Sequence, residues 1–252
     1  MPKKISFYTQ GCRLNSSETA VMTRQFERAQ FRVVEFKDAT ADIVVVNTCT
    51  VTENGDADTR RLVRKINREN PSAQIALVGC QAQILKDALL QLPNVKWVVG
   101  NAEKFQLPTI FSDHSDTDPV VIAPKMDRQS FTVSESAVDP KHTRANLKIQ
   151  DGCDFYCAFC VIPFARGPAR SRQFTDILDE AKVLAAAGHR EVVLTGVNIG
   201  TYSDSQKSFM DIIDGLEAIS GIDRIRISSI EPTTIPETLF DYMANPNSKV
   251  CR

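Results

Sequence analysis

Apolar runs of four or five residues alternate with longer amphipathic segments through the first part of the chain. Ile43–Val46 is apolar at every position, which is typical of a parallel strand that is buried on both faces. Glu53–Asn70 is highly charged and stops before Pro71, as a helix does. Similar patterns predict strands at 4–9, 32–36, 74–78 and 96–99, and helices at 16–28 and 81–90. This order predicts an α/β fold, a doubly wound parallel sheet with helices on both faces.

The first predicted helix has a capping signal at its amino end. Asn15 or Ser16 is the expected N-cap. Glu18 falls in the first turn, where a carboxylate interacts favourably with the positive end of the helix dipole.

A polar, turn-rich stretch divides the chain into two parts. Ser112–Pro119 is rich in Ser and Asp, so we expect a linker at 112–143 between domains at 1–111 and 144–252. In the second domain the same alternation of patterns returns. It predicts strands at 145–150, 191–195 and 224–229, helices at 174–187, 209–219 and 236–243, and a further strand from residue 249.

The composition is that of an ordinary globular protein, with 252 residues, 42% hydrophobic and 24% charged side chains and a net charge of -1. A nucleic-acid site would therefore depend on local rather than global positive charge. No signal-peptide core and no apolar run of membrane-spanning length is present, so we expect a cytoplasmic protein that does not bind membranes. Seven cysteines in a reducing compartment favour metal binding or catalysis over disulfides.

Cys153, Cys157 and Cys160 stand at C-x-x-x-C-x-x-C spacing. Three thiolates this close in sequence can converge on one metal centre, and a fourth position left open is what makes a centre catalytic. Two other interpretations start from Cys157 and Cys160 alone. They could form a redox dithiol or half of a zinc site.

Cys12, Cys49 and Cys80 each come just after a predicted strand. Ligands of open α/β sheets bind at the carboxyl edge of the strands, so three thiolates distant in sequence can meet in one crevice. The simpler interpretation is that cysteine is a common buried residue, but three equivalent loop positions favour ligands. Cys251 lies at the start of an apolar strand and is expected to be a core residue.

The segment GCDFYCAFCVIPFARGPARSR at 152–172 resembles the methylthiotransferase branch of the radical S-adenosylmethionine (SAM) superfamily. Gly11–Asn15, Asn47–Val51 and Val78–Cys80 are similar to three further motifs of that family. The resemblance implies two 4Fe-4S clusters and SAM as cofactors. The cluster on Cys153, Cys157 and Cys160 would cleave SAM, and an auxiliary cluster on Cys12, Cys49 and Cys80 would carry the sulfur.

The resemblance implies a fold and a reaction. The second domain would be the first half of a partial (β/α) barrel, so we expect the chain to be the N-terminal part of a longer protein with a C-terminal RNA-binding domain. The enzyme would add a methylthio group to C2 of N6-threonylcarbamoyladenosine at tRNA position 37. It would bind the tRNA anticodon stem-loop and take electrons from a donor such as flavodoxin or ferredoxin.

Two kinds of alternative stay open. Isopentenyladenosine in tRNA and an aspartate of a ribosomal protein are substrates of other branches that share both cysteine triads. A non-catalytic iron–sulfur or zinc protein, or a fragment that binds clusters without reacting, belongs to another functional class.

The resemblance also implies individual contacts. Those with SAM are at Phe159, Gly196, Asn198, Ser229 and Glu231. Independently of the resemblance, the arginines that follow the cysteine loop are expected to hold RNA phosphates: Arg166, Arg170 and Arg172. Five further cations on the predicted helix 53–70 are interpreted first as a solvated face, with phosphate binding as the alternative: Arg60, Arg61, Arg64, Lys65 and Arg68.

Overall fold

The computed structural model describes residues 2–38, 40–49, 53–114, 118–136, 138 and 142–251. The chain forms two compact units. Unit 1 comprises Met1–Met126 and Tyr156–Gly167, and unit 2 comprises Asp127–Phe155 and Pro168–Arg252. Thr50 and Val51 of the second motif lie outside the described residues.

Unit 1 contains a six-stranded sheet in which every strand pair is parallel. The strands are β1 (Lys4–Thr9), β2 (Arg32–Val33), β3 (Ile43–Thr48), β4 (Gln74–Gly79), β5 (Val95–Val99) and β6 (Val120–Ile122). Their order across the sheet is β2-β1-β3-β4-β5-β6. The predicted doubly wound parallel sheet is confirmed.

Helices cover both faces of this sheet, because alternate residues of its strands enter two separate cores. The helices of unit 1 are α1 (Arg13–Arg28), α2 (Glu53–Glu69), α3 (Cys80–Leu85), α4 (Asp87–Leu90), α5 (Leu107–Asp113) and α6 (Ile162–Arg166). Val44 and Val46 pack with the apolar side of α2, whereas Ile43 and Val45 pack with α1 and α5.

Several elements in the described part of unit 1 differ from the prediction, among them α5 and α6, which were not predicted. Helix α1 begins at Arg13 with Cys12 as its N-cap, because Asn15 and Glu18 are turned into the interior instead of capping the helix. The predicted helix 81–90 is divided at Lys86, whose φ of 44° is left-handed. Strand β6 lies within the predicted linker and pairs with β5.

Unit 2 is built around a three-stranded parallel sheet of order β13-β10-β7. The strands of unit 2 are β7 (Arg144–Lys148), β8 (Gln150–Asp151), β9 (Arg170–Ser171), β10 (Glu191–Thr195), β11 (Ser203–Asp204), β12 (Lys207–Ser208) and β13 (Arg224–Ile227). Strands β8 and β9, and strands β11 and β12, form two separate antiparallel pairs. The helices of unit 2 are α7 (Phe174–Ala186), α8 (Phe209–Glu217) and α9 (Thr238–Ala244). Because sequential strands are neighbours and parallel, with helices between them, the sheet has the topology of the first half of a (β/α) barrel.

The sequence specifies the boundaries of these helices locally. Helix α8 starts with a capping box in which Ser208 and Asp211 satisfy each other's backbone N–H groups. The chain leaves α7 through Gly188, whose φ of 93° is in the left-handed region. At the end of the described chain, Val250 forms a parallel bridge with Ile225 of β13, consistent with the predicted further strand. Within the described ranges, no helix combines the length and the hydropathy that a membrane span requires.

Candidate cofactor-binding sites

The first candidate site lies where the strand order of unit 1 reverses. Strands β1 and β3 are neighbours, and the chain leaves them toward opposite sides of the sheet. Such a switch point opens a crevice at the carboxyl ends of the strands. Cys12 follows β1 and Cys49 follows β3, and both line one pocket of about 900 Å³.

Gly11 allows the loop after β1 to approach Cys49 closely. Its φ is +91°, and a Cβ at this position would lie 2.5 Å from Cys49 Cβ and 2.6 Å from its Sγ. A side chain at residue 11 would therefore be strained and would displace the thiol. The glycine of the predicted first motif is required by this geometry.

Cys80 follows β4, the next strand of the sheet, and is the first residue of α3. It is buried, and Asn101 Nδ2 lies 3.6 Å from its Sγ. All three cysteines thus follow adjacent strands at one sheet edge, although the 900 Å³ pocket is lined by Cys12 and Cys49. Among the described residues, no group of three His, Cys, Asp or Glu side chains is arranged to hold a metal ion.

A buried ionic cluster underlies this edge of unit 1. The Glu18 carboxylate contacts Lys104 Nζ and accepts hydrogen bonds from Arg166 at 3.0 and 3.1 Å. Lys104 also donates to Asn101 Oδ1 at 2.7 Å, and Arg166 donates to Asn15 Oδ1 at 2.6 Å. Since Asn101 contacts Cys80, and Asn15 lies in the first turn of the helix that Cys12 caps, the cluster braces the backbone around two of the cysteines.

The amide of Asn15 completes this bracing. Its Nδ2 donates to the carbonyls of Gln10 and Thr48 at 2.8 and 3.0 Å, and so connects the loops that follow β1 and β3. The side chains of Asn101 and Lys104 were not predicted as part of the site. Sequence patterns predict that a charged residue such as Lys104 is exposed, and neither Lys104 nor Asn101 belongs to a cysteine motif.

Arg166, which was predicted to contact RNA phosphates, lies in the interior of unit 1. Its side chain is 2% exposed and its guanidinium is held by Glu18 and Asn15. A buried guanidinium that is already paired with a carboxylate has no free surface for a phosphate. Its role here is structural.

The cysteine motif at 153–160 passes from unit 2 into unit 1. Cys153 is half-buried in unit 2, where it follows Gly152, whose φ is 73°. In unit 1, Cys157 is exposed and Cys160 is half-buried, and the Cys160 N–H donates to the Cys157 carbonyl at 2.9 Å. Phe159, between them, is 93% exposed and so has little packing to lose when a ligand covers it.

Three loops of unit 2 are joined by two amide side chains at the carboxyl edge of its sheet. Gln150 Oε1 accepts from the N–H groups of Val197 and Asn198 at 2.9 and 3.0 Å, and its Nε2 donates to the Gly152 carbonyl at 2.8 Å. Asn198 Oδ1 in turn accepts from the Glu231 N–H at 3.1 Å. The loops after β7, β10 and β13 are therefore fastened to one another, and the buried Gln150 is a further residue that the sequence analysis missed.

The predicted SAM-contacting residues of unit 2 lie in these loops. Gly196 is packed against Gln150, whose Oε1 would be 2.9 Å from a Cβ at that position. Ser229 accepts a hydrogen bond from the Ile199 N–H at 2.9 Å through its carbonyl, and Glu231 is exposed. Within the described part of the chain, Asn198 Nδ2 is a buried donor without a hydrogen-bond partner. An orphaned buried donor at a strand's carboxyl edge fits a polar ligand such as SAM.

Two protein families match separate parts of the chain. Residues 4–100 match the uncharacterized protein family UPF0004, and residues 147–248 match the radical SAM superfamily. The chain carries a UPF0004 domain followed by a radical SAM domain. The first contains Cys12, Cys49 and Cys80, and the second contains Cys153, Cys157 and Cys160.

Several relatives are methylthiotransferases by name, which confirms the predicted resemblance. Threonylcarbamoyladenosine tRNA methylthiotransferase MtaB of Bacillus subtilis is 34% identical over 95% of this chain and 54% of its own length. The Aquifex aeolicus protein of that name is 36% identical over 96% of this chain and 60% of its own. The tRNA-2-methylthio-N(6)-dimethylallyladenosine synthase of Chloroherpeton thalassium is 30% identical over 96% and 54%. The chain thus spans between about half and three fifths of the length of these relatives.

Solved structures support the fold. The radical SAM methyltransferase TsrM from Kitasatospora setae, with cobalamin and a 4Fe-4S cluster bound, matches 99% of this chain and 60% of its own at a TM-score of 0.64. The identity is 18%, so this likeness concerns the fold.

The two other arginines that were predicted to contact RNA, Arg170 and Arg172, lie in the radical SAM domain. Arg172 is buried and is bonded to Asp176 at 2.6 Å, to Glu180 and to the Lys148 carbonyl at 3.1 Å. Arg172 is thus engaged in the interior, as Arg166 is, and the phosphate contacts of both residues stay predictions.

Arg170 differs from Arg172, because it lines a pocket of about 280 Å³ together with Cys153 and Asp154. It approaches Asp151 at 3.4 Å, and in the described structure its Nε has no hydrogen-bond partner. At the same pocket, the hydrogen bond from Arg128, 2.7 Å long, lowers the pKa of Asp154. Arg170 thus stays a candidate for an anionic ligand beside Cys153.

Proposed function

We propose that the chain is the catalytic part of a tRNA methylthiotransferase that adds a methylthio group to C2 of N6-threonylcarbamoyladenosine at tRNA position 37. The observation that carries this proposal is the pairing of two three-cysteine sets with a UPF0004 domain and a radical SAM domain. Relatives named for this reaction align with nearly the whole chain.

The residues of each domain fit an iron–sulfur group by their donor chemistry. Thiolates are the ligands that such clusters take from proteins. A 4Fe-4S cluster bound by Cys153, Cys157 and Cys160 would supply the electron that cleaves SAM, and one bound by Cys12, Cys49 and Cys80 would supply the sulfur. The work of the chain is to hold and orient these groups.

Around these thiols the protein provides fixed polar groups. The Asn198 amide presents its unpartnered Nδ2 as a donor to SAM, while Gln150 keeps the surrounding loop in place. Phe159 offers an exposed ring for the adenine to pack against. Gly196 allows the backbone after β10 to approach Gln150, while Ser229 and Glu231 bound the same edge from the loop after β13.

The proposal includes a compartment and partners. The protein acts in the cytoplasm on the anticodon stem-loop of tRNA, away from membranes, and receives electrons from a flavodoxin or ferredoxin. The tRNA names of the aligned relatives support the RNA partner. Arg170, which lines the pocket beside Cys153, is the remaining candidate for a phosphate contact there.

Iron and sulfide analysis after anaerobic reconstitution tests the dual-cluster proposal. We expect about eight irons per chain, which corresponds to two four-iron clusters. Exchanging Cys12, Cys49 and Cys80 for serine should reduce this to about four. About four irons in the unaltered chain would refute the auxiliary cluster, and zinc without iron would refute the enzyme.

Mass spectrometry of tRNA after turnover then separates threonylcarbamoyladenosine from isopentenyladenosine, and analysis of ribosomal proteins tests the aspartate substrate.

Replacing Gly11 with alanine should remove most of the iron that depends on the UPF0004 domain. The new Cβ would overlap Cys49, and the left-handed backbone costs a non-glycine residue about 1–2 kcal/mol. Iron per chain is the measurement, with a fall from about eight to about four expected.

Gly188→Ala is the matched control for this variant. Its φ is +93°, yet no atom of the described residues lies within 4 Å of the added Cβ, so the variant has the conformational cost without a collision. We expect it to keep its iron. Equal iron in the two variants would show that the contact between Gly11 and Cys49 has no part in cluster binding.

A further inference from the structure

The solvent side of helix α2 carries a continuous strip of positive charge. We call its five cations the basic face: Arg60, Arg61, Arg64, Lys65 and Arg68. At 100° per residue they fall within an arc of about 140°, over about 12 Å of helix. Between residues 60 and 68 the sequence has no Asp or Glu, and Asp58 and Glu69 fall just beyond the edge of the arc. All five side chains belong to exposed residues.

The opposite side of α2 anchors this face rigidly. Thr59, Val63 and Ile66 are buried against the sheet, so the rotation of the helix is determined by its core contacts. A cationic strip on a packed helix presents its charges at fixed spacing. That arrangement suits a regular chain of anions.

The cations of the basic face are not all engaged within the protein. Arg61 pairs with Asp58 at 3.1 Å, and Arg68 and Lys65 lie 3.5 and 4.0 Å from Glu69. Arg60 and Arg64 make no ion pair with any described residue. Exposed pairs of this kind contribute little stability, so the three paired cations can exchange partners at small cost.

The basic face borders the crevice that holds Cys12 and Cys49. Arg61, Lys65 and Arg68 line the same 900 Å³ pocket as these cysteines. Tyr8 lines it too and is 37% exposed, with its ring 4.8 Å from that of Phe36. This position changes the interpretation of the five cations, because a merely solvated face need not adjoin a ligand pocket.

We propose that the basic face and Tyr8 bind a single-stranded segment of RNA, with phosphates along α2 and one base stacked on Tyr8 at the mouth of the pocket. Cations that follow a backbone, combined with an aromatic ring that stacks a base, are the usual elements of single-strand recognition. Four of the five cations are arginine, whose planar guanidinium matches a phosphate better than an ammonium does. The identity of this RNA as tRNA rests on the proposed function, but the binding itself does not require turnover.

The variant Arg60→Gln with Arg64→Gln tests the electrostatic part. These two residues make no described ion pair, so their loss should leave the fold intact. Binding of an anticodon stem-loop RNA to the chain is measured by fluorescence anisotropy over a series of salt concentrations. Loss of two phosphate contacts should weaken binding roughly 10- to 30-fold at about 0.1 M salt and make the slope of log K against log salt shallower by about 1.4.

Lys182→Gln with Arg190→Gln is the matched control, because it removes the same charge from exposed positions on α7 and before β10. We expect an affinity within about twofold of the unaltered chain and an unchanged salt slope.

Tyr8→Leu tests the stacking part separately. It keeps an apolar contact with Phe36 but removes the planar ring, and a lost stacking contact should lower affinity about tenfold. Because no charge is removed, the salt slope should stay as it was. A change in affinity without a change in slope would not follow from a general loss of folding.

Three results would overturn this inference. The first is unchanged affinity and salt slope in the arginine variant. The second is an equal loss of RNA affinity in the control variant. The third is an arginine variant that still binds RNA but no longer binds an acidic protein such as flavodoxin. SAM cleavage measured without RNA is the independent check on the proposed function. A chain that binds RNA through α2 but does not cleave SAM would refute the function and leave this inference standing.

Discussion

Replacing Cys157 with alanine should abolish cleavage of SAM by this chain while sparing the iron that depends on Cys12, Cys49 and Cys80. Without Cys157 only two thiolates remain for this cluster, too few to hold it, and SAM is not cleaved without the cluster. The two cysteine sets fall in separate family matches, at residues 4–100 and 147–248, so the iron held by Cys12, Cys49 and Cys80 should stay. The measurements are release of 5′-deoxyadenosine after chemical reduction and iron per chain, which should fall to about four.

Cys251→Ala is the control for this prediction. Cys251 is half-buried, and burial raises the pKa of its thiol, as suits a packing residue rather than a metal ligand. This variant should cleave SAM as the unaltered chain does. Full cleavage by Cys157→Ala would remove the motif at 153–160 from the reaction.

The arrangement of strands and cysteines was predictable because it depends on local patterns. Ile43–Val46 is apolar at every position, and the structure buries it on both faces, with its alternate side chains in two cores. Parallel strands end at a common edge, so Cys12, Cys49 and Cys80 were expected together, and the first two line one pocket. Periodicity and chain direction sufficed for both conclusions.

The buried charges were not predictable in the same way. Arg166 follows a cysteine motif and reads as a phosphate ligand, yet in three dimensions it meets Glu18, which is 148 positions away in the sequence. Hydropathy marks Lys104 and Glu18 as surface residues, and no local pattern indicates that they pair inside the protein. Strand β6 was missed because its three residues are too few to show a period.

Neutral amides fasten the loops at both candidate sites. Asn15 bridges the loops after β1 and β3 in the UPF0004 domain, and Gln150 and Asn198 join three loops in the radical SAM domain. An amide offers both donors and an acceptor, so it satisfies the backbone groups of a loop without adding charge beside a thiolate. This shared construction explains how loops of irregular backbone can keep cysteines and ligand groups in position.

Replacing Glu18 with glutamine should destabilise the UPF0004 domain by about 3–5 kcal/mol, because it leaves two buried cations without their carboxylate. The side chain of Glu18 is fully buried, and those of Lys104 and Arg166 are 1% and 2% exposed. The isosteric amide keeps the volume and removes the charge. Denaturant unfolding followed by Trp97 fluorescence measures the effect, since the chain has one tryptophan and it lies in the core of unit 1.

Two further variants identify charge as the cause. Glu27→Gln removes an exposed partner of Arg24 on the same helix and should change stability by less than about 1 kcal/mol. Adding Lys104→Met to Glu18→Gln removes one of the stranded cations and should recover part of the loss, because an apolar side chain has no charge to desolvate. If Glu18→Gln unfolds at the same denaturant concentration as the unaltered chain, the buried cluster does not stabilise the edge that carries Cys12 and Cys80. Asn15 and Asn101 would then have to maintain that edge without the buried charges.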